Sequence, residues 1–422
     1  MKKTSFIRAC FFICLLILGI SFISCNDEPT ANDEPAIDYY GTLDPGTPIS
    51  INPPQEPCKF PPTNFWTDEE SKIINQLIKF ETNLFVEACK LAGHENCVIS
   101  PFLTELTLVA ILNSTADENI ISGIKKTMAL ENFTTEDINN YFSHAVKLLY
   151  EADPYYTEAV LNNLVTINSK FAQEICPNFS LFLKNRFLSN TKFSNDVNGL
   201  TFNTTYNLNA QVYDCGEIEK NTQETFYNYD NTTTTVEMMN GMHDINRESK
   251  DNAYVYVADT QKYKVLCGLL GWMWYGMTFL IPNEGTELED LLDLTSWGNT
   301  YSMYGEVFNI QIPVIKIESE VSMVETLKAM GLNFLFDSNG IKLDRILKQN
   351  AQIVDIKHNF NINISDNKLE GILHLRIGDT CQWFDWMGTN YPKGDFIYNK
   401  PFIYHISAAG GLNILSGKIE KM

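Results

Sequence analysis

The sequence predicts an α+β fold, in which helices come early in the chain and strands come late. Between Thr67 and Leu130, apolar residues recur every three or four positions, which is the spacing of amphipathic helices. Beyond Ala159 the pattern changes to short apolar or alternating runs that favour strands, interspersed with helices. This segregation indicates antiparallel or mixed sheets, because a parallel sheet needs strands and helices that alternate regularly.

The composition excludes several classes of protein. The chain has 422 residues and 44% hydrophobic content, which is enough for a large packed core. Its net charge of −21 argues against a nucleic-acid partner and against adsorption to anionic membranes, since both need clustered Lys and Arg.

The cysteines and histidines give no pattern of a metal or cofactor site. Of the ten cysteines, three lie at or before Cys25, which leaves seven. None has C-x-x-C spacing, and the six histidines are scattered. We therefore expect no metal and no cofactor, and buried thiols of which at least one is free or pairs with another chain.

Residues 1–24 are predicted to be a signal peptide. Lys2, Lys3 and Arg8 precede an apolar run, Ala9–Ile23, that is too short for a comfortable membrane span. A small residue followed by Cys25 resembles bacterial lipoprotein signals, which implies cleavage before Cys25 and its acylation. The alternative is an ordinary secretory signal with an incidental cysteine. We expect an exported outer-membrane lipoprotein that faces the periplasm or the cell surface.

Residues 25–63 are predicted to be a semi-extended tether, because nine of the sixteen prolines lie between Pro29 and Pro62. The first helix is then predicted to begin at a capping box, Thr67–Glu70, and to stop at Gly93. A short strand within Asn96–Pro101 ends where a proline can open a helix. The next helix, Phe102–Leu112, is apolar nearly all round and should be buried.

A third helix is predicted over Asp117–Leu130, and strand patterns follow it. They lie at Val160–Phe171, Leu208–Tyr213, Ala253–Val257, Met277–Ile281, Val307–Ile317, Ile353–Ile364 and Phe402–Ile419.

Several of these segments, in this order, resemble landmarks of the serpin family. They are Asn96–Pro101, Leu208–Ala210, Glu237–Met239, Phe279–Gly285, Ile312–Ile317, Met330–Phe336, Lys357–His358, Asn399–Phe402 and the closing Gly417–Ile419.

The resemblance implies a serpin domain over residues 64–422. It would have N-terminal helices, a large central mixed β-sheet, smaller sheets and a C-terminal reactive-loop region over residues 369–398. It also implies a monomer that is not an enzyme and that inhibits serine or cysteine proteases. In this mechanism the protease cuts the exposed loop, which then inserts as a strand into the main sheet. The sequence contains no H-E-x-x-H motif, no G-x-S-x-G motif and no G-x-x-x-x-G-K motif followed by Ser or Thr.

The hinge of the predicted loop departs from the inhibitory pattern of the family. With His358 placed on the family's histidine, the hinge is formed by Lys368, Leu369, Glu370 and Gly371. Lys368 stands where inhibitors have glycine, Leu369 where they have a small residue, and residues 372–374 where they have alanine. These large side chains put rapid insertion in doubt.

Two observations suggest a different state of the loop. Residues 369–377 alternate as a half-buried strand does. Between Phe193 and Asn209 there are too few residues for the helix that lies across the main sheet in the family. We therefore hypothesise that this segment is already inserted in the sheet, or inserts easily.

The exposed remainder of the loop would be Asp379–Tyr398, which is rich in aromatic residues. The candidate cut sites are Arg376 or Lys393 for a trypsin-like protease and Phe384 or Tyr391 for a chymotrypsin-like one. The runner-up function is a non-inhibitory serpin-fold lipoprotein that binds a protein partner through this loop. A third reading is an unrelated lipoprotein that stacks glycans on the same aromatic side chains.

Three residues resemble the family's buried polar group under the main sheet. These are Ser100, Asn209 and His358, and we expect them to be polar groups of the core rather than catalytic residues.

Overall fold

The computed structural model of the protein describes residues 43–51, 65–151, 157–211, 217–243, 256–259, 261–270, 275–292, 308–365, 395–408 and 410–422. The predicted signal peptide, Cys25 and most of the tether lie outside these residues. So does the segment 366–394, which contains the predicted hinge and all four candidate cut sites.

The predicted N-terminal helices are confirmed. Helix α1 (Asp68–Ala92) begins at Thr67, whose hydroxyl accepts the Glu70 N–H at 3.2 Å while the Glu70 carboxylate accepts the Thr67 N–H at 2.8 Å. It ends at Gly93, as predicted. Strand β1 (Cys97–Ile99) leads into helix α2 (Pro101–Asn113), and helix α3 (Glu118–Thr127) follows.

Every residue of α2 is buried, as its apolar sequence predicts. One of the free backbone N–H groups in its first turn is paired locally, because the Leu103 N–H donates to the Ser100 hydroxyl at 3.2 Å. This capping bond allows a helix to begin inside the core, where water cannot reach its free N–H groups.

Two further helices have no counterpart among the predicted elements. Helix α4 (Thr135–Glu151) follows a capping interaction in which Asp137 N–H donates to the Thr134 hydroxyl, and helix α5 (Pro177–Phe187) begins with a proline. A short helix, α6 (Val324–Leu327), lies much later in the chain. None of the described helices is long and apolar enough to span a bilayer.

The described strands form three sheets. The main sheet has five strands in the order β11-β12-β4-β2-β3, a second sheet has six in the order β1-β15-β14-β9-β8-β7, and a third has four in the order β13-β10-β6-β5. Their bounds are β2 (Thr157–Asn168), β3 (Asn190–Ser194), β4 (Leu200–Gln211), β5 (Glu217–Tyr227), β6 (Thr233–His243), β7 (Tyr256–Asp259), β8 (Tyr263–Leu270), β9 (Tyr275–Pro282), β10 (Phe308–Pro313), β11 (Ile315–Ser322), β12 (Ile353–Ser365), β13 (Phe396–Ile397), β14 (Phe402–Ala408) and β15 (Leu412–Ile419).

Two of the predicted strand ranges each contain two strands. The range Val307–Ile317 divides between β10 and β11, which belong to different sheets. The break falls at Val314, whose N–H donates to the Glu237 carbonyl at 2.9 Å, and the preceding Pro313 has no N–H to continue a ladder. The range Phe402–Ile419 is an antiparallel hairpin of β14 and β15.

The connection from β3 to β4 contains no helix, which confirms that the chain is too short here for one. Only residues 195–199 join the two strands. Strand β4 enters the sheet at Gly199, where a Cβ atom would lie 2.1 Å from the Gln352 carbonyl oxygen. Only glycine allows the two backbones to approach this closely.

Candidate functional site

The centre of the main sheet is a long parallel pair of strands, β4 and β12. The ladder runs from Leu200 opposite Ile353 to Gln211 opposite Ser365, with a single irregularity near its start. On the outer sides of this pair, β11 runs antiparallel to β12 and β2 runs antiparallel to β4. This pair is therefore a point in the sheet where a further strand could enter antiparallel to both neighbours, and the shorter pair of β2 and β3 at the edge is also parallel.

The inner face of this pair is apolar and packs against α2. On β12 the inward side chains are Ile356, His358, Phe360, Ile362 and Ile364, all of them buried. Phe202 and Thr204 of β4 face Leu106, Thr107 and Ala110 of α2 across a small cavity.

His358 is the one ionisable side chain that faces the core from β12. It is fully buried, and neither of its ring nitrogens has a hydrogen-bond partner among the described residues. Burial disfavours the charged imidazolium and lowers the pKa of His358 to about 3. His358 therefore remains neutral in the native protein over the physiological pH range.

The three predicted polar core residues occupy different places. Ser100 and His358 are both fully buried, and the Ser100 hydroxyl caps α2. Asn209 lies in β4 opposite Asn363, whereas the residue opposite His358 is Thr204, five positions earlier. The register therefore does not bring Asn209 to His358. The position of Thr204 opposite His358 could not be predicted from the sequence, because the sequence does not show which residues of β4 and β12 are opposite one another.

The outer face of the parallel pair is polar. Lys357, Asn359, Asn361 and Asn363 alternate with the buried residues of β12. Asn203, Thr205 and Asn207 stand opposite the first three of these on β4. The alternation of Asn359, Asn361 and Asn363 with apolar residues is visible in the sequence and could have identified this face.

Both ends of the segment 366–394 are attached to the described structure. Strand β12 leads into it, and β13 follows it, paired in parallel with β10. Phe396 and Tyr398 are buried, and the Tyr398 N–H donates to the Gln311 carbonyl at 2.9 Å. Lys264 donates to the Asp395 carbonyl at 3.0 Å and lies over the Phe396 ring.

The hypothesis of an already inserted loop is wrong for this structure. An inserted strand would separate β4 from β12, yet the two strands pair directly along their length. The prediction of a readily inserted loop is left as a prediction, because Lys368, Leu369, Glu370 and Gly371 lie outside the described residues.

The comparisons with known proteins agree with this geometry. The family model described as serpin (serine protease inhibitor) matches residues 217–419. No curated protein matches the chain. Native protease nexin-1, solved with heparin, is 15% identical with a TM-score of 0.66, and the match covers 84% of this chain and 100% of that one.

Two further solved structures show the same likeness. Tengpin, a thermophilic serpin in its native state, is 15% identical with a TM-score of 0.66, covering 89% of this chain and 98% of that one. AtSerpin1 of Arabidopsis, in a native stressed conformation, is 17% identical with a TM-score of 0.64, covering 84% of this chain and 99% of that one.

The three sheets, the N-terminal helices and the parallel centre of the main sheet define a serpin fold. The family model adds a sequence match over residues 217–419, slightly less than half of the chain, and the solved structures show the fold. The description of the matching model, a serine protease inhibitor, is in line with the prediction that this chain is not an enzyme.

Proposed function

We propose that the protein inhibits serine or cysteine proteases by inserting its cleaved loop between β4 and β12. The observation that carries the proposal is the direct parallel pairing of these two strands at the centre of a five-stranded sheet. The chain continues from β12 into the segment 366–394. A strand that turns back from the end of β12 would run antiparallel to both β12 and β4.

Insertion would improve the hydrogen bonding of the sheet. It replaces one parallel ladder with two antiparallel ladders, and parallel pairing is slightly less stable per residue. An inserted strand would form backbone hydrogen bonds with both β4 and β12. The β3–β4 connection contains no helix, so β4 could move without displacing a helix in that connection.

The test is whether a protease is trapped covalently. The purified protein is incubated with trypsin-like, chymotrypsin-like, elastase-like and papain-like proteases and run on a denaturing gel. An adduct that survives denaturation is expected with at least one of them, and mass spectrometry then identifies the cut among Arg376, Phe384, Tyr391 and Lys393. Cleavage without any adduct would contradict inhibition by trapping.

A pair of engineered disulfides tests the insertion site directly. Asn203→Cys with Lys357→Cys joins opposite positions of β4 and β12, so its oxidation should abolish the adduct and its reduction should restore it. The control joins β11 and β12 through Glu320→Cys with Asn359→Cys, a pair that insertion does not separate. Equal trapping by both oxidised variants would overturn insertion between β4 and β12.

The second candidate function is binding of a protein partner through Asp379–Tyr398 without inhibition. The large residues at the hinge, Lys368 and Leu369, favour it, because insertion requires side chains small enough to enter the sheet. Substituting both with the small residues typical of the family, Lys368→Gly with Leu369→Thr, separates the two functions. A gain of trapping in this variant alone would show that the natural hinge prevents it.

We also propose that the protein is exported and acylated at Cys25. The sequence of residues 1–25 supports this proposal. Expressed in a bacterium that processes lipoproteins, the chain should incorporate labelled palmitate and partition into the detergent phase, and Cys25→Ser should do neither. Labelling of the Cys25→Ser variant would contradict the assignment.

A further inference from the structure

Three side chains with metal-binding atoms meet near the C-terminus of the chain. His94 lies in the turn between α1 and β1, Glu289 in the short 3₁₀ turn Leu288–Leu291, and Glu420 directly after β15. Their ligand atoms lie within 4.8 Å of one another. The His94 Nδ1 atom is 3.8 Å from the Glu289 Oε1 atom and 3.9 Å from the Glu420 Oε1 atom. The sequence alone did not indicate this cluster, because His94 and Glu420 lie 326 positions apart.

Hydrogen bonds between the Asn96 side chain and backbone groups hold Glu420 beside the turn that carries His94. The side-chain oxygen of Asn96 accepts the N–H groups of Glu420 and Lys421 at 2.7 and 3.0 Å. The Asn96 amide in turn donates to the Lys421 carbonyl at 2.7 Å. The relative position of the two ligands is thus fixed by the fold.

The carboxylate of Glu420 is fully buried, and only one of its two oxygen atoms has a hydrogen-bond partner among the described residues. Its Oε1 atom accepts the Lys418 ammonium at 2.9 Å, and this lysine is also buried. Its Oε2 atom has no hydrogen-bond partner among the described residues. Lys418 already neutralises the charge of this carboxylate, so a cation would bind at the Oε2 atom, whose burial without a partner is costly.

The imidazole of His94 is oriented to leave one nitrogen for that cation. Its ring stacks on Tyr229 at 3.7 Å, and the Tyr229 hydroxyl lies 2.8 Å from Nε2. Nδ1 then faces the two carboxylates. Metal-binding histidines are commonly oriented through their second nitrogen in this way.

We propose that His94, Glu289 and Glu420 form a site for a divalent transition metal, with Zn²⁺ as the best fit. One imidazole and two carboxylates suit Zn²⁺, whereas Ca²⁺ and Mg²⁺ prefer oxygen ligands alone. Zinc–ligand bonds of about 2.1 Å place tetrahedral ligands roughly 3.4 Å apart, so the two separations from His94 need to shorten by about half an ångström. Water would complete the coordination.

The metal would act as a cross-link between distant parts of the chain. It joins the end of α1, the 3₁₀ turn after β9 and the end of β15. An ion that binds the folded chain but not the unfolded one raises the melting temperature with its concentration. The site thus adds stability to the part of the fold that surrounds the C-terminus.

The test uses the purified, chelator-treated protein and zinc ions alone. Calorimetric titration should show one Zn²⁺ bound, and a hundredfold excess over Kd should raise Tm by roughly 5 °C. His94→Gln and Glu289→Gln should each weaken binding at least tenfold. Glu289 is about half exposed, so its substitution leaves the fold intact. Buried thiols could also bind zinc, and the two variants exclude that source because neither removes a cysteine.

The matched control is His144→Gln. His144 also lies beside a glutamate, with Nδ1 2.8 Å from the Glu70 Oε1 atom, but it has no second carboxylate in such a cluster. This variant should bind zinc as the natural chain does. The proposal is overturned if the natural chain binds no zinc below about 100 μM, or if His94→Gln binds as tightly as His144→Gln. Neither result depends on whether the protein traps a protease.

Discussion

The main sheet and the six-stranded sheet of this protein are built differently. In the six-stranded sheet, almost every residue of β9 and β15 is buried, so both faces of these strands are covered. In the main sheet, β12 alternates buried apolar residues with solvated lysine and asparagine. A sheet with one solvated face has fewer packed side chains to displace when its strands separate than a sheet covered on both faces. Under the proposed function, the six-stranded sheet would be the fixed frame and the main sheet would be the part that rearranges.

The largest effect is expected from a cavity in the fixed frame. Phe279 of β9 is fully buried, and its ring lies 5.5 Å from that of Tyr398 and 5.9 Å from that of Phe402. Phe279→Ala should lower the free energy of unfolding by about 3–5 kcal/mol, measured by urea denaturation. A loss below 1 kcal/mol would show that this sheet is not closely packed.

A smaller effect, dependent on pH, is expected on the inner face of the main sheet. Burial lowers the pKa of His358 to about 3, against 6.5 in the unfolded chain. Below pH 6.5 the unfolded chain takes up a proton that the native protein does not. The contribution of His358 is therefore fully present above pH 6.5 and decreases until the pH reaches about 3.

Between pH 6.5 and 4.5, this difference in pKa lowers the free energy of unfolding by about 2 kcal/mol. His358→Leu removes the titrating group, so the variant should lose that much less stability over the interval. Parallel urea titrations at the two pH values measure it, with Asn361→Ala as the control. Equal acid sensitivity of the two variants would refute the neutral, buried state of His358.

The junction between β3 and β4 should tolerate a side chain poorly, because Gly199 is buried there. In Gly199→Ala the new methyl group would meet the Gln352 carbonyl. We expect a loss of about 1–3 kcal/mol in urea denaturation, because the start of the β4–β12 ladder must shift. A neutral result would mean that this end of the ladder already moves freely.

The smallest effect is expected on the solvated face. Asn361 is exposed on β12, opposite Asn207. Asn361→Ala should change the free energy of unfolding by no more than about 0.5 kcal/mol. A loss several times larger would indicate that the asparagine side chains stabilise the sheet and that its outer face is not merely solvated.

Much of the N-terminal half could be predicted from the sequence because its signals are local. The capping box at Thr67, the stop at Gly93 and the apolar run in α2 each act within a few residues. The missing helix between β3 and β4 was also predictable, since it is a matter of chain length. The closing Gly417–Ile419 was recognised as a pattern in the sequence, but the reason for a glycine at position 417 lies in the tertiary packing. A Cβ atom on Gly417 would lie 2.2 Å from the Tyr404 ring.

The sequence by itself determined that helices come early and strands come late, that a buried helix lies at the centre, and the resemblance that names the fold. It did so because periodicity, capping and composition depend on near neighbours. Only the tertiary structure decided that Val314 divides two sheets, that His358 stands opposite Thr204 and that β4 pairs directly with β12. It alone brought His94 to Glu289 and Glu420. Strand register and side-chain clusters depend on contacts between residues hundreds of positions apart, and no local pattern in one sequence encodes them.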